Sequence, residues 1–393
     1  MGDAHSRLDD AGREKVQCRV CNLWYHRLEV HLSSVHKTNV KAYLEKHPGA
    51  PIISETGKAN ARAGIDKARG SERKPEAVVE ATRPVAESYT FGVATLVRRT
   101  ELTPYDRAFI PLHDERWEMG PSETAALEEL ALAMQDKENV LIVGPPGLGK
   151  TTLVRELAAI LDQPLRRCPF NGEMRLSSLV GSKDLRVDSE SGQAITSWTN
   201  GPLPDSAERG HWFLADEFDA APPTVTFVLH PVLEESRQLM LMDREGGTET
   251  VFSEWFRFIA TANTLGYGDD SGLFAGTGPM NEALLDRFHT VIRMDYPQPD
   301  AEKRILLSKA PGIRDSWAAS MVEVAVKVRE AHKNQQTMVS LSPRRLIAWA
   351  QKAVRLNDIR RAARVTLLNK LPDDDAKAIG AIIQRHVGGG GLL

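Results

Sequence analysis

Eight residues, Gly144-Pro145-Pro146-Gly147-Leu148-Gly149-Lys150-Thr151, constrain the fold of this chain more than any others. They follow the apolar run Val140-Leu141-Ile142-Val143, which reads as a buried parallel strand. They lead, from Thr152 onward, into a segment whose apolar spacing reads as a helix. Strand, glycine-rich turn and helix form the context in which G-x-x-x-x-G-K-[ST] wraps phosphate groups. The glycines let backbone N–H groups turn inward, and the helix N-terminus adds partial positive charge. In this reading Lys150 reaches the β- and γ-phosphates and the Thr151 hydroxyl ligates Mg²⁺. The segment predicts a nucleoside triphosphate as ligand.

At 393 residues with 41% hydrophobic content, the chain can bury a sizeable core in two or three domains. A formal net charge of −3 offers no global basic field for nucleic acid or an anionic membrane. No apolar run has the length of a membrane-spanning helix, and the N-terminus lacks a signal-peptide core, so a cytoplasmic protein is expected. Three cysteines argue against a disulfide framework.

A second constellation lies downstream. The apolar run through Leu214 and Ala215 ends in Asp216-Glu217, the Walker B arrangement. Asp216 is placed to hold Mg²⁺, and Glu217 to polarise the water attacking the γ-phosphate. Another apolar strand, Phe258-Ile259-Ala260-Thr261-Ala262, ends in Asn263. Strand C-termini face the ligand in parallel α/β sheets, so Asn263 is a candidate to orient that water. Arg287, in Glu282-Ala283-Leu284-Leu285-Asp286-Arg287-Phe288, is a candidate arginine finger for a neighbouring subunit's γ-phosphate; a surface pair with Asp286 is the alternative. Ser342-Pro343-Arg344-Arg345 reads as a helix start in which two arginines oppose the helix dipole. Cations there suggest a nearby anion, with Arg344 the first candidate and Arg345 the second.

The N-terminal segment carries different chemistry. Cys18, Cys21, His31 and His36 follow C-x₂-C-x₉-H-x₄-H, with the histidines in a stretch that reads as helix. Four N and S ligands suit tetrahedral Zn²⁺, although unpaired thiols in a loose tail are the alternative. The segment resembles the short zinc fingers of bacterial MucR/Ros-type proteins. Residues 1–90 carry 15 Lys and Arg against 12 Asp and Glu, a weak phosphate footprint. DNA contact and protein docking therefore stay open for the finger. Residues 54–88, rich in Ala, Gly, Pro, Lys, Arg and Glu, read as a disordered linker.

Together the phosphate loop, Asp216-Glu217, the strand-end Asn263, Arg287 and a helical C-terminal region resemble the AAA+ ATPases. The stretches Asp216-Glu217-Phe218-Asp219-Ala220, Gly266 to Thr277 and Leu284-Leu285-Asp286-Arg287-Phe288 resemble the MoxR branch, specifically the cobaltochelatase CobS-type subunits. That resemblance implies an α/β fold: a P-loop AAA+ domain with a parallel central sheet, a C-terminal helical lid and a small N-terminal zinc-finger-like module. The expected boundaries are 1–50 for that module, 51–90 for a linker, 91–298 for the nucleotide-binding domain, 299–387 for the lid and 388–393 for a flexible tail. It further implies ATP and Mg²⁺ as cofactors, Asn263 as sensor 1, Arg287 as trans finger and Arg344 as sensor 2. A hexameric ring and a partner bearing a von Willebrand factor A-type domain are implied as well. The expected activity is ATP hydrolysis coupled to remodelling of a partner protein, in one version as a chelatase motor. The alternative is a zinc-finger DNA-binding ATPase that loads a partner onto nucleic acid.

Overall fold

The computed structural model describes residues 87–187, 194–245, 247–264 and 280–387, together with parts of the segment between residues 6 and 52. The chain divides into two compact units, 1–83 and 84–393. His31, His36, residues 54–86 of the expected linker, the 266–277 stretch and the 388–393 tail lie outside the described residues, while the end of the expected linker is ordered instead as the start of a strand, Ser88–Phe91, paired with Ala94–Val97.

In the N-terminal unit, strands Ser6–Leu8, Glu14–Gln17 and Trp24–Tyr25 pair antiparallel, and the helix Val40–Lys46 follows. Cys18 and Cys21 lie between the second and third strands, Cys18 buried beside Val16, Leu28, Leu32 and Tyr43. The Tyr43 hydroxyl accepts a hydrogen bond from the Arg19 amide at 2.8 Å, tying the Cys-x-x-Cys turn to the helix. Among the described residues, no group of three or more His, Cys, Asp or Glu is arranged to hold a metal ion.

The second unit is built on five strands: β1 (Val140–Val143), β2 (Leu165–Pro169), β3 (Trp212–Asp216), β4 (Arg257–Ala262) and β5 (Thr290–Arg293). They form one parallel sheet in the order β5-β1-β4-β3-β2. Alternate residues serve opposite faces, as the two-residue period of a strand requires. Val140, Ile142, Leu214 and Ile259 pack under helices α1 (Pro121–Gln135) and α2 (Lys150–Ile160). Leu141, Phe213, Phe258 and Ala260 pack under α3 (Pro202–Arg209) and α4 (Pro223–Val232). Both faces are covered, which explains why β1, β3 and β4 read as unbroken apolar runs. The expected α/β fold with a parallel sheet is therefore present.

Beyond the sheet, the short helix α5 (Glu282–Leu285) precedes β5, and five helices follow it: α6 (Pro299–Lys309), α7 (Asp315–Lys333), α8 (Pro343–Leu356), α9 (Ile359–Thr366) and α10 (Asp373–Val387). They close around fully buried Trp349, whose indole donates to the Ile359 carbonyl at 2.7 Å. Glu302 of α6 is fully buried and takes a two-pronged bond from Arg329 of α7 at 2.6 and 2.8 Å. The paired geometry compensates the desolvation of both charges. Ser342 caps α8, accepting from the Arg345 amide, with Pro343 at the first helical position. No helix among the described residues is long and apolar enough to cross a membrane.

Candidate functional site

The order of the sheet decides which residues can meet. β4 lies between β1 and β3, so the ends of all three strands converge. The loop after β1 turns at Gly147 and Gly149, with φ of +79° and +97°, left-handed values that favour glycine. Gly144 is required for a different reason: a Cβ there would stand 2.3 Å from the Met294 carbonyl oxygen. The loop thus hugs the end of β5 on one side and delivers Lys150 into the start of α2.

Lys150 is buried. Its Nζ donates to the carbonyls of Gly144 and Pro145 and, at 2.9 Å, to Asn263 Oδ1. Burial pushes its ammonium down to about 8, against the attraction of Asp219 and Asp216, with a further push from Arg344. Phosphate favours the ammonium form, so affinity for a nucleoside triphosphate is expected to be highest below about pH 8. It should then fall as pH rises, approaching about tenfold per unit. Calorimetric titration at about pH 7 and about pH 9.5 checks this; equal affinities would remove Lys150 as the titrating phosphate ligand.

Asp216 is buried at the end of β3. Its Oδ1 accepts from the hydroxyls of Thr151, at 2.9 Å, and Thr261, while Oδ2 accepts from Arg167 Nε at 2.7 Å. Burial opposes ionisation, but the bonds from Thr261, Thr151 and Arg167 outweigh it and hold the carboxyl below its ordinary range. Thr151 and Asp216 therefore present hydroxyl and carboxylate oxygens side by side, hard donors that fit Mg²⁺.

Glu217, the next residue, is exposed and left-handed, with φ 58° and ψ 44°. A non-glycine residue in that region carries strain, which persists where neighbours hold it. Its amide donates to Thr261 Oγ1 at 3.2 Å.

Arg344 and Arg345 diverge. Arg344 lines a cavity of about 290 Å³ between the loop and the C-terminal helices, walled by Trp117, Leu153, Met294, Ile305 and Ile347. Arg345 turns back toward the Ser340 carbonyl. The apolar walls beside a phosphate loop suit the planar base of a nucleotide.

Arg287 lies elsewhere. Asn139, directly before β1, donates from its side chain to the carbonyls of both Arg287 and Leu233, at 3.1 and 2.6 Å. Arg287 thus sits at the start of β1, whereas Lys150 follows its end. Four strand residues separate the two levels, roughly 13 Å. Its guanidinium pairs with Glu234 of the loop after α4 at 3.0 Å. The alternative Asp286 pair is not the one formed: α5 stops at Leu285, and Arg287 turns off the helix toward Glu234.

Sequence reasoning did not single out Arg167, Thr261 or Trp117, nor a role for Asp219, which belongs to the same cluster. No sequence signal marked Arg167: it stands two residues before Pro169, the register partner of Asp216, and only the pairing of β2 with β3 brings it to the site.

Comparison with known proteins agrees with this geometry. Residues 139–288 match the family described as AAA domain (dynein-related subfamily), and residues 302–386 match CbbQ/NirQ/NorQ C-terminal. The aerobic cobaltochelatase subunit CobS of Sinorhizobium sp is 32% identical over 302 residues, covering 76% of this chain and 89% of that protein. An uncharacterized protein of Staphylococcus aureus (strain USA300) is 25% identical over 253 residues, covering 64% of this chain and 92% of its own length. Among solved structures, the Thermotoga maritima RuvB Holliday junction branch migration motor is 18% identical, with a TM-score of 0.42, covering 72% of this chain and 81% of that one. With its phosphate loop, acidic strand end and C-terminal helices in one unit, the chain belongs to the AAA+ ATPases of the CbbQ/NirQ/NorQ (MoxR-like) type, related to the cobaltochelatase subunit CobS, and is an ATP hydrolase.

Proposed function

We propose that the chain is the motor subunit of a ring, a chelatase-type motor that uses ATP hydrolysis to remodel a partner protein with a von Willebrand factor A-type domain. The observation that carries this reading is the position of Arg287. Its guanidinium pairs with Glu234, next to Leu233, whose carbonyl also meets Asn139 before β1, so it lies at the strand end away from its own phosphate loop and too far to touch the same nucleotide. It fits a role on the nucleotide of an adjacent copy, which requires assembly; a hexamer is the ring implied by the family.

In this mechanism the N–H groups of residues 144–149 surround the phosphates, and Lys150 leaves its carbonyl partners for the β- and γ-phosphate oxygens. Thr151 and Asp216 would hold Mg²⁺, which when bound neutralises phosphate charge. Glu217 draws the proton from the attacking water, and Asn263 orients that water. Arg344 contributes from the C-terminal helices, and Arg287 of a neighbour offsets the charge that develops on the γ-phosphate.

The N-terminal unit is assigned to recruitment, with Cys18, Cys21, His31 and His36 as ligands of a structural Zn²⁺. What supports this is the pair Cys18 and Cys21 on a turn between antiparallel strands, a placement that suits two thiolate ligands.

The test uses Glu217→Gln as a trap, incubated with ATP and Mg²⁺ in lysate of its host, with and without nuclease. The expected result is nuclease-resistant, ATP-dependent capture of a protein with a von Willebrand factor A-type domain. Capture abolished by nuclease would replace this reading with the DNA-binding one, whereas nuclease-resistant capture that is lost with Cys18→Ser is what recruitment through the N-terminal unit predicts.

A further inference from the structure

We propose that Asp219 is a positioning residue that locks the Glu217 turn onto the Asn263 strand end, so that the water-activating and water-orienting groups hold one spacing. The inference rests on the roles given above to Glu217 and Asn263, and adds the device that couples them.

Asp219 is almost fully buried, at 2% exposure. Its Oδ2 accepts from the backbone amides of Asn263 at 2.9 Å and Thr264 at 3.1 Å, and from the Thr264 hydroxyl at 3.2 Å. One carboxylate oxygen from the β3 side thereby gathers both amides at the end of β4. Without it these two N–H groups would lack an acceptor at the point where β4 leaves the sheet, and burying such groups unpaired is costly.

The chain reaches this arrangement through a tight reversal. Glu217 is left-handed, Ala220 N–H returns to the Glu217 carbonyl at 2.9 Å, and residues 218–220 make one 3₁₀ turn. Phe218 anchors the turn among the rings of Phe170, Phe258 and Phe288. That turn brings Asp219 back beneath β4 while Glu217 stays exposed. Two further ties run the same way: Glu217 N–H to Thr261, and Thr261 to Asp216. Asp219 supplies the only one of these that reaches Asn263 itself.

Its second oxygen bears on the site as well. Oδ1 is buried with no hydrogen-bond partner among the described residues. Asp219 is also the strongest electrostatic attraction on the Lys150 ammonium, ahead of Asp216 and Glu217. One oxygen of this carboxylate is engaged by both amides at the end of β4, and its charge acts on the phosphate-binding lysine, so it is placed for more than loop closure.

The experiment measures kcat, KM, ATP-analogue affinity, thermal midpoint and assembly for Asp219→Ala and Asp219→Asn in the full chain. Charge-assisted bonds to two amides are lost in the alanine variant, so kcat is expected to fall about 50-fold with analogue affinity within about threefold. The asparagine variant keeps a carbonyl oxygen for the amides and is expected to recover to within about fivefold of the parent. The proposal is overturned if alanine leaves kcat unchanged. It is equally overturned if kcat and affinity fall together with the thermal midpoint, or if asparagine is no better than alanine. Glu217→Gln and Asn263→Ala serve as controls. Should these two retain turnover, the underlying assignment of the site fails, a result distinguishable from failure of the Asp219 inference alone.

Discussion

Glu217→Gln is expected to lower ATP turnover about 10³-fold while nucleotide affinity stays within about threefold, the range set by removing a positioned general base. Glutamine matches the shape of glutamate but cannot take a proton from water. Glu217 is exposed and its main-chain bonds, to Thr261 and from Ala220, involve no side-chain atom, so the substitution leaves the turn intact. Single-turnover hydrolysis with labelled ATP separates chemistry from product release. A variant that hydrolyses within tenfold of the parent would move the base elsewhere.

Arg287→Ala is expected to reduce turnover by about 10³-fold in the assembled protein, at the low end of what a transition-state arginine supplies. Removing it also breaks the pair with Glu234, but that pair is partly exposed and contributes little to stability. Lysine is not expected to restore activity, because a point charge lacks the planar fork that spans two phosphate oxygens. The sharper experiment mixes Arg287→Ala with Glu217→Gln, each nearly inactive alone. A site formed by the Glu217 of one copy and the Arg287 of the next is complete, and random mixing produces it at roughly a quarter of interfaces. Recovery of turnover on mixing is the expected result. Mixed assemblies that stay inactive would place Arg287 outside the neighbour's site.

The parts of this fold that local chemistry dictates were readable from the chain. The phosphate loop declared itself because Gly147 and Gly149 need left-handed backbone and sit between a strand and a helix. β1, β3 and β4 could be recognised as unbroken apolar runs because both faces of the sheet are covered. Helix α1 opens at Pro121, where proline suits the first helical position. What escaped was whatever depends on register between distant strands. Arg167 reaches Asp216 across 49 residues because β2 pairs with β3, and nothing in Leu165-Arg166-Arg167-Cys168 distinguishes the arginine that faces the site from the one that faces Asp205. Asp219 was visible only as a letter after Asp216-Glu217. Its bonds to Asn263 and Thr264 arise from the turn geometry at Glu217 and the adjacency of β4, neither of which a pattern of residue types reveals. Arg287 was singled out as a candidate, but its partner Glu234 lies 53 residues away and was not.

The close packing at Gly147 has a mechanical side. A Cβ on this residue would lie 2.9 Å from Ser342 Oγ and 3.3 Å from Arg344 Cβ, so the crest of the phosphate loop rests directly against the first turn of α8. Residues 294–298 are the short span of chain between β5 and α6. Any outward push on the loop crest is therefore delivered to the base of a lever. Helix α8, with 14 residues, is about 21 Å long, and a tilt of about 10° would displace its far end by about 4 Å. An adjustment of the loop around a phosphate would therefore be passed to the C-terminal helices through this contact.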